Sequence, residues 1–135
     1  MGYALRASLD RGYDETVAAT RQALGEQGFG VLSEIDLRAT LKQKLDVEVP
    51  PQVILGACRP PSAYAALQAE PSIGLLLPCN VVVRSVDEGT TMVEAMDPAV
   101  MVSVTGNAAL EEVAADAGAR LRAALESLST AGQGK

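Results

Sequence analysis

The stretch Ile73-Gly74-Leu75-Leu76-Leu77-Pro78-Cys79-Asn80-Val81-Val82-Val83 decides how the chain is read. It is the longest apolar run, rich in Leu and Val, with a proline, a thiol and an amide set into it. Eleven residues are too few to cross a bilayer, and Pro78 and Asn80 are costly in lipid. The run is therefore expected as a buried central strand. Beyond it, Glu88-Gly89 stands between two β-rich runs, which is a hairpin turn signal. If those two residues form the turn, Asp87 faces Thr90, Val83 faces Glu94 and Asn80 faces Asp97; a longer loop shifts this by about one residue.

Upstream of the run, Tyr3, Leu5, Ala7 and Leu9 alternate with Gly2, Ala4, Arg6 and Ser8, the period of a half-buried strand. Asp14 opens a helix with Val17 and Leu24 on one face, and Gly28 stops it. Phe29, Val31 and Ile35 mark a second strand ending at Asp36, which caps a helix over Leu37 to Leu45. Pro50-Pro51 breaks the chain before a third strand, Gln52 to Cys58. Pro60-Pro61 then opens an alanine-rich helix to about Glu70. Downstream of the hairpin partner, Thr90 to Met96, the short segment Ala99 to Thr105 reads as helix after Asp97-Pro98. Gly106-Asn107 then caps a long helix with Leu110, Val113, Ala117, Leu121, Leu125 and Leu128 on one face. The pattern predicts one α+β domain over 1–128, with about five strands, helices packed on one face of the sheet, and a flexible polar tail over 129–135.

Hydrophobic residues make up 48% of the 135 against 21% charged, which makes a globular chain able to bury a core without staples. Aromatics are scarce, with no Trp, one Phe and three Tyr, and the formal net charge is −6. Both facts argue against nucleic acid as a partner, since stacking platforms and excess cations are missing. The absence of His excludes His-based triads and His metal ligands. The turn after the first strand lacks the glycines of a dinucleotide-binding loop. The first ten residues have neither a basic head nor an apolar stretch, so no signal peptide is expected. A cytoplasmic protein with Cys58 and Cys79 reduced is the expectation.

Four blocks carry a family resemblance: Gly28-Phe29-Gly30-Val31-Leu32-Ser33-Glu34-Ile35-Asp36, Thr40-Leu41-Lys42, Ile54-Leu55-Gly56-Ala57-Cys58-Arg59-Pro60-Pro61, and Leu75 to Val83. Together with Met96-Asp97-Pro98 they resemble the bacterial and archaeal domain-of-unknown-function family 302. The resemblance implies a compact domain with a strongly twisted, largely antiparallel sheet, a long C-terminal helix, and a homodimer. It implies no activity and no cofactor.

Candidate chemistry gathers at the prolines. Cys58 and Cys79 each interrupt an aliphatic strand beside a proline, where a backbone irregularity can aim a side chain into a cleft. They are candidate ligands for a small molecule, a soft metal ion or a sulfur species; packing as small hydrophobes is the competing reading. Asn80 and Asp97 are expected at the same end of the hairpin and complete the candidate site, although Asp97 before Pro98 is also a natural helix cap. Cys79 as nucleophile with Asp97 as proton carrier is the enzyme alternative, and a purely structural dimer is the third. Lys42, on one helix face with Arg38, is a candidate anion contact or simply part of a solvated face. The valines and methionines of the hairpin leave the uncovered sheet face apolar, which predicts self-association.

Overall fold

The computed structural model describes residues 2–133. The elements are β1 (Ala4–Leu9), α1 (Tyr13–Glu26), β2 (Gly30–Asp36), α2 (Leu37–Leu45), β3 (Gln52–Cys58) and α3 (Pro60–Ala69). They are followed by a 3₁₀ turn (Pro71–Leu76), β4 (Cys79–Asp87), β5 (Thr90–Met96), α4 (Ala99–Thr105), a short 3₁₀ turn (Ala108–Leu110) and α5 (Glu111–Gln133). The five strands form one antiparallel sheet in the order β1-β5-β4-β3-β2. This is the expected α+β class. The expected tail falls partly on Ser129 to Gln133, which continue α5, and partly on Gly134 and Lys135, which lie outside the described residues.

Strand alternation divides the sheet into two faces. Ala7, Leu9, Val53, Leu55, Ala57, Val81, Val83, Val93 and Ala95 point to one face and are buried. They pack there against Ala23 and Leu24 of α1 and Leu121, Leu125 and Leu128 of α5. A second, smaller cluster joins Ala66 of α3, Ile73, Met101 of α4, and Leu110 and Ala114 beside and within α5. Across the other face runs a row Ile35–Ile54–Val82–Glu94–Arg6, one residue from each strand. Glu94 lies between Arg6 and Arg84, which both donate to its carboxylate.

Two expectations need correction. The first half of the Ile73–Val83 run is not strand: Pro71–Leu76 is a 3₁₀ turn, and a cis Leu77–Pro78 peptide separates it from β4. An apolar run without alternation does not distinguish strand from helix, and Pro71 fixes φ where a helical turn begins. Ile73 is used in the second cluster, whereas Leu75 is 87% exposed. In the hairpin, Asp87 does face Thr90, but a bulge between Ser85 and Asp87 then pairs Val83 with Val93 instead of Glu94. The extra residue, Val86, moves every later partner by one. Asn80 consequently falls beside Met96 and not Asp97, and the two border one groove on the open face.

Candidate functional site

The site is built where β3 ends and β4 begins. Ala57 pairs with Cys79, and Cys79, Val81 and Val83 all turn to the helix-covered face and are buried. Cys58, the last residue of β3, is half-buried. Between the strands, Gly56 sits under Pro78: a Cβ at Gly56 would come 2.8 Å from Pro78 Cγ and into direct collision with Ser33 Oγ. The missing side chain lets the proline lie across β3 and sets where Cys79 enters the sheet.

α1 ends in a left-handed cap that aims the next residue at the same place. Gly28 has φ +88°, its N–H donates to Gly25 O, and the Phe29 N–H donates to Leu24 O. This double bond pattern turns the chain back over the last helical turn and buries Phe29. From the other side, Arg59 takes the cap position of α3 with Pro60 behind it, a start signal legible in the sequence.

A narrow cavity of about 20 Å³ opens here, room for one water-sized guest. Both cysteines border it, with Phe29 and Ala57 from the sheet side, Ala66 of α3, and Met101 of α4. Arg59 and Ser62 supply polar atoms at the wall, and Arg59 Nη1 donates to Ser62 Oγ at 3.0 Å. Arg59 also lies 3.7 Å from Asp116, which accepts from Arg120 Nε at 3.0 Å. Two guanidiniums thus share one carboxylate beside the cavity. The thiols are free. Burial pushes the Cys79 thiol above its ordinary pKa, and Cys58 acts in the same direction.

The remaining candidates lie elsewhere. Asn80 is exposed on the open sheet face, in a groove with Tyr3, Arg6 and Glu94. Residues one apart in a strand point to opposite faces, which separates it from Cys79. Asp97 borders a third surface with Arg122 and Glu111. Its Oδ1 accepts the Ala99 N–H at 3.0 Å and its Oδ2 accepts from Arg122 at 3.4 Å, so the cap role expected for Asp before Pro is present. Lys42 is at the far end of β3 from Cys58, since α2 leads into Gln52. It pairs with Asp46 at 2.8 Å and Glu48 at 3.2 Å, and both raise its pKa. Arg38 reaches Glu48 at 3.6 Å. Of the four residues expected together, Cys58, Cys79, Asn80 and Asp97, only Cys58 and Cys79 border this cavity, and the two cysteines are not near each other: Cys79 shares a face with its partner Ala57, from which Cys58 is one residue removed. Sequence reasoning missed Phe29 and Arg59 as wall residues, and treated Met101 as filler.

A wider open groove of about 630 Å³ runs between β1 and α5, bordered by Arg6, Arg122 and Glu126, and contains none of the candidates. Among the described residues, no three His, Cys, Asp or Glu side chains cluster in the manner of a metal site. Nor is any described helix long and apolar enough to cross a membrane.

Comparison with known proteins agrees with this architecture. A crystal structure of an uncharacterized conserved DUF302 protein from Bacillus stearothermophilus superposes with a TM-score of 0.85 at 32% identity, covering 93% of this chain and 98% of that one. No curated protein matches the chain. The family model for the domain of unknown function DUF302 matches residues 5–128, which take in β1 from Leu5 onward, the other four strands, both core clusters and the cavity. The chain belongs to the DUF302 family.

Proposed function

We propose that the protein is a small cytosolic homodimeric binding module that takes one small soft guest, a Cu(I)-class metal ion, at the cavity bordered by Cys79, Met101 and Cys58. The observation that carries this reading is that two free thiols from different strands border one apolar cavity together with Met101. Thiolate and thioether sulfurs are soft donors, and a site of this size admits a single ion more readily than an organic molecule. Burial keeps the Cys79 proton in place until a metal displaces it, so affinity rises with pH.

The thiol-enzyme alternative has less support. Burial disfavours the Cys79 thiolate, and Asp97 is held by the Ala99 N–H and Arg122 beside a different surface. The test is a Cu(I) titration under reducing, anaerobic conditions against a competing chromogenic chelator. One ion per chain is expected for the native protein, and none for Cys58→Ser combined with Cys79→Ser. Equal uptake by both proteins refutes the reading. A purified protein that retains no copper but carries the mass of an added sulfur shifts the guest to a sulfur species.

Self-association is supported by a separate observation. Ile35, Ile54 and Val82 lie side by side on the uncovered sheet face, with Met92 and Met96 half-buried on the neighbouring strand. Such a face is stabilised by a cover, and a second copy related by a two-fold axis is the commonest solution.

A further inference from the structure

The cavity that both cysteines border has a floor and a rim. Phe29, Ala57, Cys79 and Met101 are buried and form the floor. Cys58, Arg59, Ser62 and Leu77 are half-buried and stand between that floor and the exterior. The two thiols therefore sit at different depths, Cys79 on the floor and Cys58 on the rim.

Arg59 is the rim residue with the longest reach. Its side chain, 21% exposed, lies over the cap that ends α1, where a Cβ at Gly28 would come 3.3 Å from Arg59 Nε and 3.7 Å from its Cδ. Nη1 donates to Ser62 Oγ at 3.0 Å and stands 3.7 Å from Asp116 Oδ2. The side chain thus runs from the end of α1 to the start of α3 and the side of α5. Asp116 holds it loosely, because the nearer partner of that carboxylate is Arg120 Nε at 3.0 Å. Of the other wall residues, Ala63 moves only with its helix and Val113 is stiff at χ1, whereas the unbranched Arg59 stem has several rotamers.

We propose that Arg59 is the gate of this cavity: its guanidinium closes the rim and swings away from Ser62 and Asp116 when a guest passes between the exterior and Cys79. The inference rests on the binding-module reading above and adds to it a residue that sets the rate of exchange without being a ligand. A guanidinium has donors and no acceptor, so it does not coordinate a metal ion. A gate that closes equally over the empty and the occupied cavity has no differential interaction with the guest. Removing it speeds uptake and release alike and leaves the dissociation constant in place.

The first test measures access without copper. In a Cys58→Ser background Cys79 is the one remaining thiol, and its modification by methyl methanethiosulfonate is followed by mass spectrometry at fixed pH. Arg59→Ala is expected to raise that rate at least about tenfold, the factor for losing a hydrogen bond that holds the gate shut. Loss of a cation alone disfavours a nearby thiolate and slows the reaction, so acceleration reports access and not charge. Arg120→Ala is the control. It removes the same charge but frees Asp116 to hold Arg59, so it is expected to react no faster than the parent. Equal acceleration in both arginine variants means general loosening and overturns the gate, as does an unchanged rate in Arg59→Ala. Should Arg59→Ala fail to fold, Ser62→Ala takes its place, since it removes the acceptor for the guanidinium. About threefold faster modification is expected there, and an unchanged rate again overturns the gate.

The second test returns to the protein with both cysteines and follows Cu(I) exchange with a chromogenic chelator by stopped flow. Arg59→Ala should accelerate uptake and release together, with Kd within about twofold of native. A Kd weakened more than about tenfold makes Arg59 part of the binding wall and overturns its role as gate. Absence of Cu(I) binding in native and variant alike overturns the binding reading, while the thiol-modification rates still decide the gate.

Discussion

Replacing Gly56 by Ala tests the close approach that sets the entrance of β4. The added Cβ would lie 2.8 Å from Pro78 Cγ and collide with Ser33 Oγ. Ordinary carbon contacts begin near ~3.5 Å, so the proline must retreat by roughly 0.7 Å or β3 must bend away from it. The serine hydroxyl can rotate aside, whereas the proline ring has no such freedom. Overpacking of this kind costs about 1–3 kcal/mol. For a domain of this length that lowers Tm by about 4–10 °C. Urea unfolding followed by circular dichroism gives the free energy directly. A second variant, Ser33→Ala in the Gly56→Ala background, removes the hydroxyl collision and is expected to recover only part of the loss. Its Cβ already stands at an ordinary 3.5 Å from the new methyl. The unrecovered part belongs to Pro78. A Gly56→Ala protein within about 0.5 kcal/mol of the native one would refute the argument.

Three further outcomes are expected. Because the folded-state pKa of the Cys79 thiol is raised, its contribution to stability is complete below its ordinary value of 9.0. It is lost as pH rises, by up to about 1.4 kcal/mol per pH unit; alkaline unfolding of Cys79→Ala, compared with the native protein, should lack that component. The Glu94 carboxyl is held below its ordinary range chiefly by Arg84, with burial opposing and Arg6 assisting. Its contribution is present above the ordinary carboxylate pKa and disappears as pH falls through the depressed one, so Glu94→Gln should flatten the acid limb of the stability curve. Asp97→Ala removes the cap on Ala99 and the bond from Arg122, and should cost about 0.5–2 kcal/mol in urea while leaving Cu(I) stoichiometry unchanged. A loss of copper binding in that variant would return Asp97 to the site.

Periodicity made most of the fold legible. The alternation through Leu5, Ala7 and Leu9 and the Asp36 cap led to elements that the structure contains. Leu75 shows where that ends: an unbroken apolar run carries no period, so it hides a 3₁₀ turn whose one exposed leucine looks like its neighbours. The Val86 bulge could not be foreseen either, because nothing in Ser85-Val86-Asp87 forces an extra residue into the ladder. For the site, proline-marked strand ends pointed to both thiols. The grouping of Asn80 with Cys79 failed because neighbours in one strand point to opposite faces, which alternation through β4 already implies. Phe29 reaches the cavity through the geometry of the α1 cap, and Ala66 and Met101 through helix packing; contacts between distant elements leave no local signature.

The place of β1 in the sheet governs the order in which the molecule can be completed during synthesis. Its strand partner is β5, and Arg6 and Glu94 are 88 residues apart in the chain. At ~5–20 residues per second, the first strand emerges roughly 4–18 s before the strand that receives it. Through that interval the N-terminal segment has no ladder to join, while β2 and β3, and then β4 and β5, are close enough in sequence to pair as they appear. α5, which covers β1 and the sheet core, is translated later still. Assembly therefore starts at the β2 edge of the sheet and closes at the opposite edge with the strand made first, and a chain halted before Thr90 has no register in which β1 can be held.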